Sequence, residues 1–294
     1  MDTVSDIGQG PQRKAESEGN FYPECASGIG PGMNDRIRRL RRLSVETQPS
    51  LSIERALHET AFYRENYGKY SMPVLRALNF LEHCKKKTIY IGDDELIVGE
   101  RGPAPKAVPT FPELTCHSVE DFEVLNTREQ QRYTISQEDI DTYAREVIPY
   151  WQGRTIRERI FGHVPDEWLA AYQAGLFTEF MEQRAAGHTA LDGKIYQRGM
   201  LDFKAQIATE IEALDYLNDP TATDRFEALT AMAISCDAVI VFAERHADLA
   251  EEMAAHEADP RHQAELLKIA EVCRHVPANK PRNFHEAIQM YWFV

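Results

Sequence analysis

Positive charge and long apolar runs are both scarce in this 294-residue sequence. Lys and Arg together number 33 against 47 Asp and Glu, so the formal net charge is −14 at pH 7. Nucleic acids and anionic membranes bind to positive surfaces, so we expect neither as a partner. The longest apolar stretches, such as residues 238–243, are far shorter than the roughly 20 residues that span a bilayer. We therefore expect no transmembrane helix.

The sequence has few cysteines, and they are widely spaced. No C-x-x-C pair occurs among the five, which are Cys25, Cys84, Cys116, Cys236 and Cys273. This pattern favours a reducing compartment over a disulfide framework or a metal knuckle. The first 32 residues contain five acids and lack an apolar core, which argues against a secretory signal and a mitochondrial presequence. These features predict a cytoplasmic protein.

Residues 1–32 have no helical or strand period and are rich in Gly, Ser, Pro and charge. We interpret them as a disordered tail that precedes a single domain over residues 33–294. The tail contains a G-x-G at Gly28 and Gly30, but no strand precedes it and Pro31 would break the helix that phosphate binding requires. A dinucleotide site is therefore not expected there.

The domain is predicted to be mainly α-helical. Residues 36–43 predict a basic helix with one narrow buried stripe, and Ser71 with Pro73 predicts the start of a helix that ends at Lys85–Lys87. Capping patterns at Ser136-x-x-Asp139 and Asp224-x-x-Glu227 predict two more helix starts. The one clear β signal is a small hairpin, with strands at 88–91 and 95–98 around the turn Gly92-Asp93-Asp94.

The last eleven residues predict an intensely apolar helix without a C-terminal cap or a polar tail. Phe284, Ile288, Tyr291 and Trp292 are among its large apolar side chains. Burying such a run needs partner elements, whereas chain termini are usually polar and exposed. We therefore expect the sequence to stop in the middle of a structural element.

Common catalytic motifs are absent from the sequence. There is no H-E-x-x-H, no Walker loop and no G-x-S-x-G. Cys116-His117 could pair a nucleophile with a base, but adjacent residues usually point apart, and a buried thiol is the simpler interpretation. The strongest local candidate is the polar and aromatic segment 177–189, which includes Glu179, Glu182, Arg184 and His188. These residues could line a site, or they could form ion pairs that fix a loop.

Three ordered motifs resemble the glycyl radical enzymes of the pyruvate formate-lyase type. The first is Glu95-Leu96-Ile97-Val98-Gly99-Glu100-Arg101-Gly102 followed by Phe111-Pro112-Glu113, and the second is Arg184-x-x-Gly187-His188. The third extends from Val276-Pro277 to Trp292-Phe293. The resemblance covers residues 33–294 and implies the N-terminal, mainly helical portion of a truncated ten-stranded β/α barrel.

The resemblance implies a lyase that uses a protein radical. A glycyl radical, installed by a separate S-adenosylmethionine and iron–sulfur activating enzyme, would oxidise a cysteine that attacks a small-molecule substrate. Neither radical-bearing motif is present here, so we expect no directly bound cofactor, no metal and no activity from this chain alone. The complete enzyme is expected to be a cytoplasmic homodimer in an anaerobe.

The segment 168–184 is most similar to the C–O lyases, or dehydratases, within this family. This similarity implies that Phe180 and His188 bind substrate, with His188 as a hydrogen-bond partner. Two departures are Ala186, where relatives commonly have proline, and the tail before Met33. The alternatives are another glycyl radical enzyme, such as a diol dehydratase, a C–S or C–N lyase, an arylacetate decarboxylase or a formate acetyltransferase, and a catalytically dead helical binding module.

Overall fold

A computed structural model describes residues 34–177 and 191–294 of the chain. Within these residues the fold is mainly helical, as the sequence predicted. The helices are α1 (Asp35–Glu46), α2 (Glu54–Asn66), α3 (Met72–Lys86), α4 (Val119–Thr127), α5 (Gln137–Glu146), α6 (Ile148–Trp151), α7 (Ile156–Phe161), α8 (Asp166–Gln173), α9 (Met200–Glu212), α10 (Ala222–His256), α11 (Pro260–His275) and α12 (Phe284–Phe293). A 3₁₀ helix covers Asp192–Tyr196, and the two strands are β1 (Ser50–Ser52) and β2 (Ala107–Pro109).

The chain divides into two compact units, one ending at Glu46 and the other extending from Thr47 to Val294. In the first unit the predicted basic helix is present as α1. No residue of α1 is buried, so the predicted buried stripe is wrong: Ile37 and Leu43 are 44% and 40% exposed. The helix instead forms its own ion pair between Arg38 and Asp35 at 2.9 Å.

The centre of the second unit is α10, a 35-residue helix that packs against α3, α9 and α11. Its buried side includes Ala243, Ala247 and Ala250, which have side chains short enough to let neighbouring helices approach closely. By length and composition alone α10 could cross a membrane, because an 18-residue window has a mean hydropathy of 1.8. Its packing against three helices is that of a core helix in a folded domain.

An aromatic cluster joins α2, α4, α5 and α6 in the same unit. Phe122 and Tyr143 meet edge to face with ring centroids 5.0 Å apart, and both are fully buried. Trp151 packs on Tyr63 at 5.4 Å and donates its indole N–H to the Thr60 hydroxyl at 2.9 Å. These contacts fix the C-terminal half of α2, and the N-terminal half of the same helix carries the polar groups described below.

The predicted hairpin over residues 88–98 is wrong in position, because this segment contains no strand. Its turn does form, since the Glu95 amide donates to the Gly92 carbonyl at 3.0 Å. The flanks diverge because Ile91 and Val98 both pack into the α10 core. The small two-stranded sheet instead pairs β1 with β2 in parallel, with Ser50 opposite Ala107.

Of the two capping patterns predicted from the sequence, one marks a helix start and the other does not. Ser136 caps α5 as predicted, because its hydroxyl accepts from the Asp139 amide at 3.1 Å. The prediction that Asp224 caps α10 is wrong, since this helix begins at Ala222 and Asp224 lies in its first turn. Glu227 is not a capping partner either, because it accepts a hydrogen bond from the Ser71 hydroxyl.

The apolar helix predicted near residue 294 is α12. Asn283 caps it by accepting from the Glu286 amide at 3.1 Å. One face, which includes Gln289 and Met290, is buried at 1% exposure or less. On the opposite face Phe284 and Trp292 are 80% and 55% exposed. The helix is therefore half embedded in the described residues, with a large apolar surface left open.

Candidate functional site

The two substrate-binding residues predicted from the sequence, Phe180 and His188, lie outside the residues that the structure describes. Glu179, Glu182 and Arg184 lie in the same stretch, 178–190. Their roles stay predictions. The candidate site that the structure does describe is a different set of side chains, on α2, α3 and the segment before α4.

A cavity of about 950 Å³ opens between α2, α3, α10 and α12. Its polar lining includes side chains from α2, α3 and the loops that follow: Arg55, Glu59, Asn79, His83, Lys87 and Glu113. Its aromatic lining comes from both ends of the second unit: Tyr63, Phe80, Phe111, Trp151, Phe242 and Trp292. This volume is within the range of ligand-binding pockets, and convergent polar groups on an apolar wall are typical of them.

Arg55 is the central polar group of the cavity. Its Nη2 lies 2.6 Å from Glu59 Oε1 and 2.6 Å from Glu113 Oε1, while Nη1 donates to Glu113 Oε2 at 3.0 Å. The guanidinium also lies over the Phe111 ring, 4.1 Å from its centroid. One buried cation therefore bridges two carboxylates, and the contact with Glu113 has the bidentate geometry of a strong charge-assisted hydrogen bond.

Burial shifts the acid–base behaviour of this cluster. The Glu59 side chain is only 3% exposed, and burial raises its pKa to about 7, with Arg55 opposing the shift and Glu113 adding to it. For Arg55, burial is outweighed by the hydrogen bonds that it donates to Glu113 and by the charges of both carboxylates, so its pKa is raised. Arg55 thus stays charged, whereas Glu59 can gain or lose a proton near neutral pH.

The second polar group is on α3 and just after it. Burial, together with the charges of Arg55, His58 and Lys87, lowers the pKa of His83 to about 3, so this imidazole is neutral. Its Nδ1 lies 3.3 Å from Nδ1 of His58. Lys87 is 5% exposed, donates to the carbonyls of Glu100 and Arg101 at 2.7 and 3.0 Å, and lies 4.6 Å from the Phe242 ring centroid.

The described cysteines are poor nucleophiles in this structure. Burial raises the pKa of Cys84, at the cavity wall, to about 12, and it also raises the pKa values of Cys116, Cys236 and Cys273. Cys116 Sγ contacts the His117 carbonyl at 3.8 Å and the Tyr143 hydroxyl at 3.7 Å. Because burial raises the pKa of Cys116 despite the opposing hydrogen bond with Tyr143, the Cys116-His117 pair does not form an activated nucleophile.

Within residues 34–177 and 191–294, no group of three or more His, Cys, Asp or Glu side chains comes together as metal ligands would. The described part of the cavity can form hydrogen bonds with a ligand and can exchange a proton through Glu59. It offers an anchored cation, two carboxylates and a neutral imidazole, all surrounded by aromatic rings.

Sequence reasoning missed the Arg55, Glu59 and Glu113 cluster. The spacing of Arg55 and Glu59 is the i, i+4 of an ordinary helix-surface ion pair, which gives no sign of burial. Glu113 stands in the Phe111-Pro112-Glu113 motif, and it meets Arg55 across 58 residues. Only the coincidence of a helical pair with that motif could have indicated the cluster.

Comparison with known proteins identifies the family. The family described as Pyruvate formate lyase-like matches residues 33–294. The chain is 46% identical over 263 residues to trans-4-hydroxy-L-proline dehydratase of Clostridioides difficile, covering 90% of this chain and 33% of that protein. It is 34% identical over 271 residues to isethionate sulfite-lyase of Desulfovibrio desulfuricans, covering 88% of this chain and 32% of that protein.

Solved structures agree with this assignment. The crystal structure of hydroxyproline dehydratase from Clostridioides difficile with trans-4-hydroxy-L-proline bound matches with a TM-score of 0.85 and 45% identity, over 89% of this chain and 33% of that one. The B12-independent glycerol dehydratase from Clostridium butyricum matches with a TM-score of 0.81 and 28% identity, over 90% of this chain and 34% of that one. The chain thus spans about a third of the length of these relatives. It belongs to the pyruvate formate lyase-like family of glycyl radical enzymes.

Proposed function

We propose that this chain is the N-terminal part of a glycyl radical C–O lyase that dehydrates trans-4-hydroxy-L-proline. The observation that carries the proposal is the 46% identity to trans-4-hydroxy-L-proline dehydratase, against 34% to an isethionate sulfite-lyase over nearly the same share of the chain. The structural match to the substrate-bound hydroxyproline dehydratase supports the same choice. On this proposal residues 1–32 are a tail and residues 33–294 form the start of the catalytic domain.

The radical chemistry of such an enzyme is supplied by a glycyl radical, which a separate radical S-adenosylmethionine enzyme installs. We place the radical glycine and the reactive cysteine outside these 294 residues, because none of the five cysteines stands in the family's catalytic cysteine motif and no glycine stands in its radical loop. The complete enzyme would be a cytoplasmic homodimer. The present chain alone would have no activity. Its small-molecule substrate is the hydroxylated ring amino acid.

In this proposal the contribution of the chain to the substrate pocket is Phe180 and His188. The apolar ring of the substrate needs an apolar wall, which Phe180 would provide. The departing hydroxyl needs a hydrogen-bond donor as the C–O bond breaks, and His188 would donate from its imidazole. Such general acid assistance is typically worth about 10²- to 10⁴-fold in rate.

The experiment begins with the DNA downstream of the codon for Val294. An open frame that continues to a cysteine loop and a glycine loop supports the enzyme, and a stop codon there would favour a catalytically inactive helical module. The protein encoded by the continuous frame is then activated anaerobically with its activating enzyme. We expect consumption of trans-4-hydroxy-L-proline and no release of sulfite from isethionate; the opposite result would assign the C–S lyase activity.

A further inference from the structure

The charge of the cavity is opposite to that of the whole chain. Six cationic side chains line it: Arg55, Arg76, Lys87, Arg101, Arg154 and Arg159. Among the described residues, two acidic side chains, Glu59 and Glu113, line the same space. The formal balance is therefore +4 in a protein whose net charge is −14. An excess of positive charge gathered in one concave site raises the local concentration of anions.

Both carboxylates already form ion pairs with Arg55. Among the described residues, no carboxylate lies within 4.0 Å of the other five cations. Arg154 lies over the Tyr150 ring at 4.5 Å from its centroid, and Arg76 and Arg101 are exposed at the mouth. These side chains can turn toward a bound anion without breaking an existing ion pair.

Lys87 is the deepest of these cations. It is 5% exposed, and its two hydrogen bonds go to backbone carbonyls, which carry no net charge. A buried ammonium without a directly paired carboxylate is costly, and burial lowers the pKa of Lys87, with the charges of Glu54 and Glu100 opposing the shift. The low pKa of His83 reports the same excess of positive charge, since Arg55, Lys87 and Arg245 each add to the effect of burial.

The walls of the cavity indicate what the anion is attached to. Tyr63, Phe80, Phe111 and Phe242 present aromatic rings to the space, and Trp292 and Phe293 do so from α12. Aromatic walls of this kind favour a planar apolar body through burial and ring stacking. The volume of about 950 Å³ accommodates a ligand of drug-like size.

We propose that this cavity binds a small organic carboxylate with a planar, apolar body. The carboxylate would be held by Lys87 and by the arginines at the mouth, and the body would lie against the aromatic walls. A carboxylate would give Lys87 a direct ion pair, which its two backbone carbonyl partners do not provide. The inference rests on the cavity alone and is independent of the reaction proposed above.

The chain contains its own reporters for the test. Trp151 and Trp292 line the cavity, and the third tryptophan, Trp168, packs against Tyr172 on α8. A Trp168→Phe background therefore leaves only the two cavity tryptophans. The full 294-residue chain in this background is titrated with benzoate, with benzyl alcohol as the neutral analogue and acetate as the anion without an apolar body. We expect a saturable fluorescence change with benzoate and at least about tenfold weaker binding of the other two.

Variants assign the binding to the cavity. Lys87→Met should weaken benzoate binding by about tenfold or more, and the exposed pair Arg76→Gln with Arg101→Gln should weaken it by about threefold while leaving the circular dichroism spectrum unchanged. Lys268→Met is the matched control, because Lys268 is an exposed lysine paired to Glu271 at 2.7 Å. It should bind benzoate as the parent does.

The proposal is overturned by any of three results. These are a benzoate titration that does not saturate, binding of benzyl alcohol or acetate as tight as that of benzoate, and unchanged benzoate affinity in the folded Arg76→Gln, Arg101→Gln protein. The last variant keeps the test decisive if Lys87→Met does not fold. Its two side chains are exposed, so their replacement removes charge without removing buried contacts.

Discussion

At the scale of single residues, Arg55 organises the buried polar groups of the cavity. It holds Glu59 and Glu113 together, and each of its contacts with their oxygens is 2.6 to 3.0 Å long. Replacing every member of a buried ion pair by apolar residues changes the stability of a protein little. Removing only one partner is costly, because it leaves a buried charge without compensation. Loss of Arg55 would place two carboxylates beside each other without a cation.

We therefore predict that Arg55→Met lowers the free energy of unfolding by about 3–5 kcal/mol. The measurement is urea denaturation at neutral pH. The control is Lys268→Met, which removes an exposed ion pair whose side chains are 45% and 53% exposed and should cost less than about 1 kcal/mol. Equal losses in the two variants would contradict a structural role for the buried cluster.

Glu59 makes stability depend on pH in a defined window. Burial raises its pKa from the ordinary value of 4.5 to about 7, so between these values the folded state binds more protons than the unfolded state. Its contribution to stability is complete below pH 4.5 and is lost as the pH rises through 7. His83 and His246 act in the opposite direction, because burial lowers their pKa values to about 3 and about 4.

Comparison with Glu59→Gln separates these effects. We predict that the stability of the parent relative to this variant falls by on the order of 1–3 kcal/mol as the pH rises from about 4.5 to 7. Both proteins keep His83 and His246, so the histidine contributions cancel in the difference. Unfolding free energies at a series of pH values provide the measurement, and a difference that does not change with pH would show that Glu59 titrates normally.

At the scale of elements, two side chains of α12 hydrogen-bond to a distant loop, and His285 Nε2 lies 2.8 Å from the Leu96 carbonyl oxygen. Gln289 Nε2 donates to the Val98 carbonyl at 2.7 Å, and its Oε1 accepts from the Val98 amide at 2.9 Å. Beside this contact Gly99 has a φ of +129°, and an added Cβ would lie 2.8 Å from Trp292 Cδ1. The loop therefore contacts the helix through the backbones of Leu96 and Val98 and through one glycine.

We predict that Gln289→Leu destabilises the protein by about 2–4 kcal/mol, because a buried N–H and a buried carbonyl of Val98 both lose their partner. Hydrogen exchange at the Val98 amide should accelerate together with the loss of stability. Gln137→Leu serves as the control, since Gln137 makes an exposed hydrogen bond to Asp141. Unchanged protection of Val98 in the Gln289 variant would contradict this pairing.

Local elements could be read from the sequence, and long-range pairings could not. The Ser136 cap was predictable because it depends on residues three positions apart, and the α12 helix was predictable from its apolar pattern. The hairpin failed because Ile91 and Val98 look the same whether they face a partner strand or the α10 core. Likewise, nothing local to Arg55 and Glu59 shows that Glu113 completes their cluster from 58 residues away.

At the scale of the whole molecule, the described residues leave an apolar face of α12 open. Phe284 is 80% exposed, Tyr291 is 49% exposed and Trp292 is 55% exposed. Contiguous exposed apolar surface of this kind attracts other apolar molecules or further copies of the chain. The relatives that the chain matches are about three times as long, so they have additional chain to place against their own structures.

We predict that the 294-residue chain binds a hydrophobic fluorescent dye and associates as its concentration rises. Phe284→Ser should reduce both signals with less than about 0.5 kcal/mol change in stability, because an 80% exposed side chain contributes little to the core. Dye fluorescence and analytical ultracentrifugation measure the two effects. A monomer without dye binding would mean that this face does not attract a partner.

The contact between Gln289 and Val98 also sets an order of events. The two residues are 191 positions apart, and the loop near Val98 leaves the ribosome long before α12 is made. Closing so distant a contact is slow, because the loop entropy must be lost before the hydrogen bonds are gained. During synthesis, the Val98 amide and carbonyl would therefore stay without their Gln289 partner, and this part of the family motif at residues 95–102 would gain those hydrogen bonds only once α12 is made.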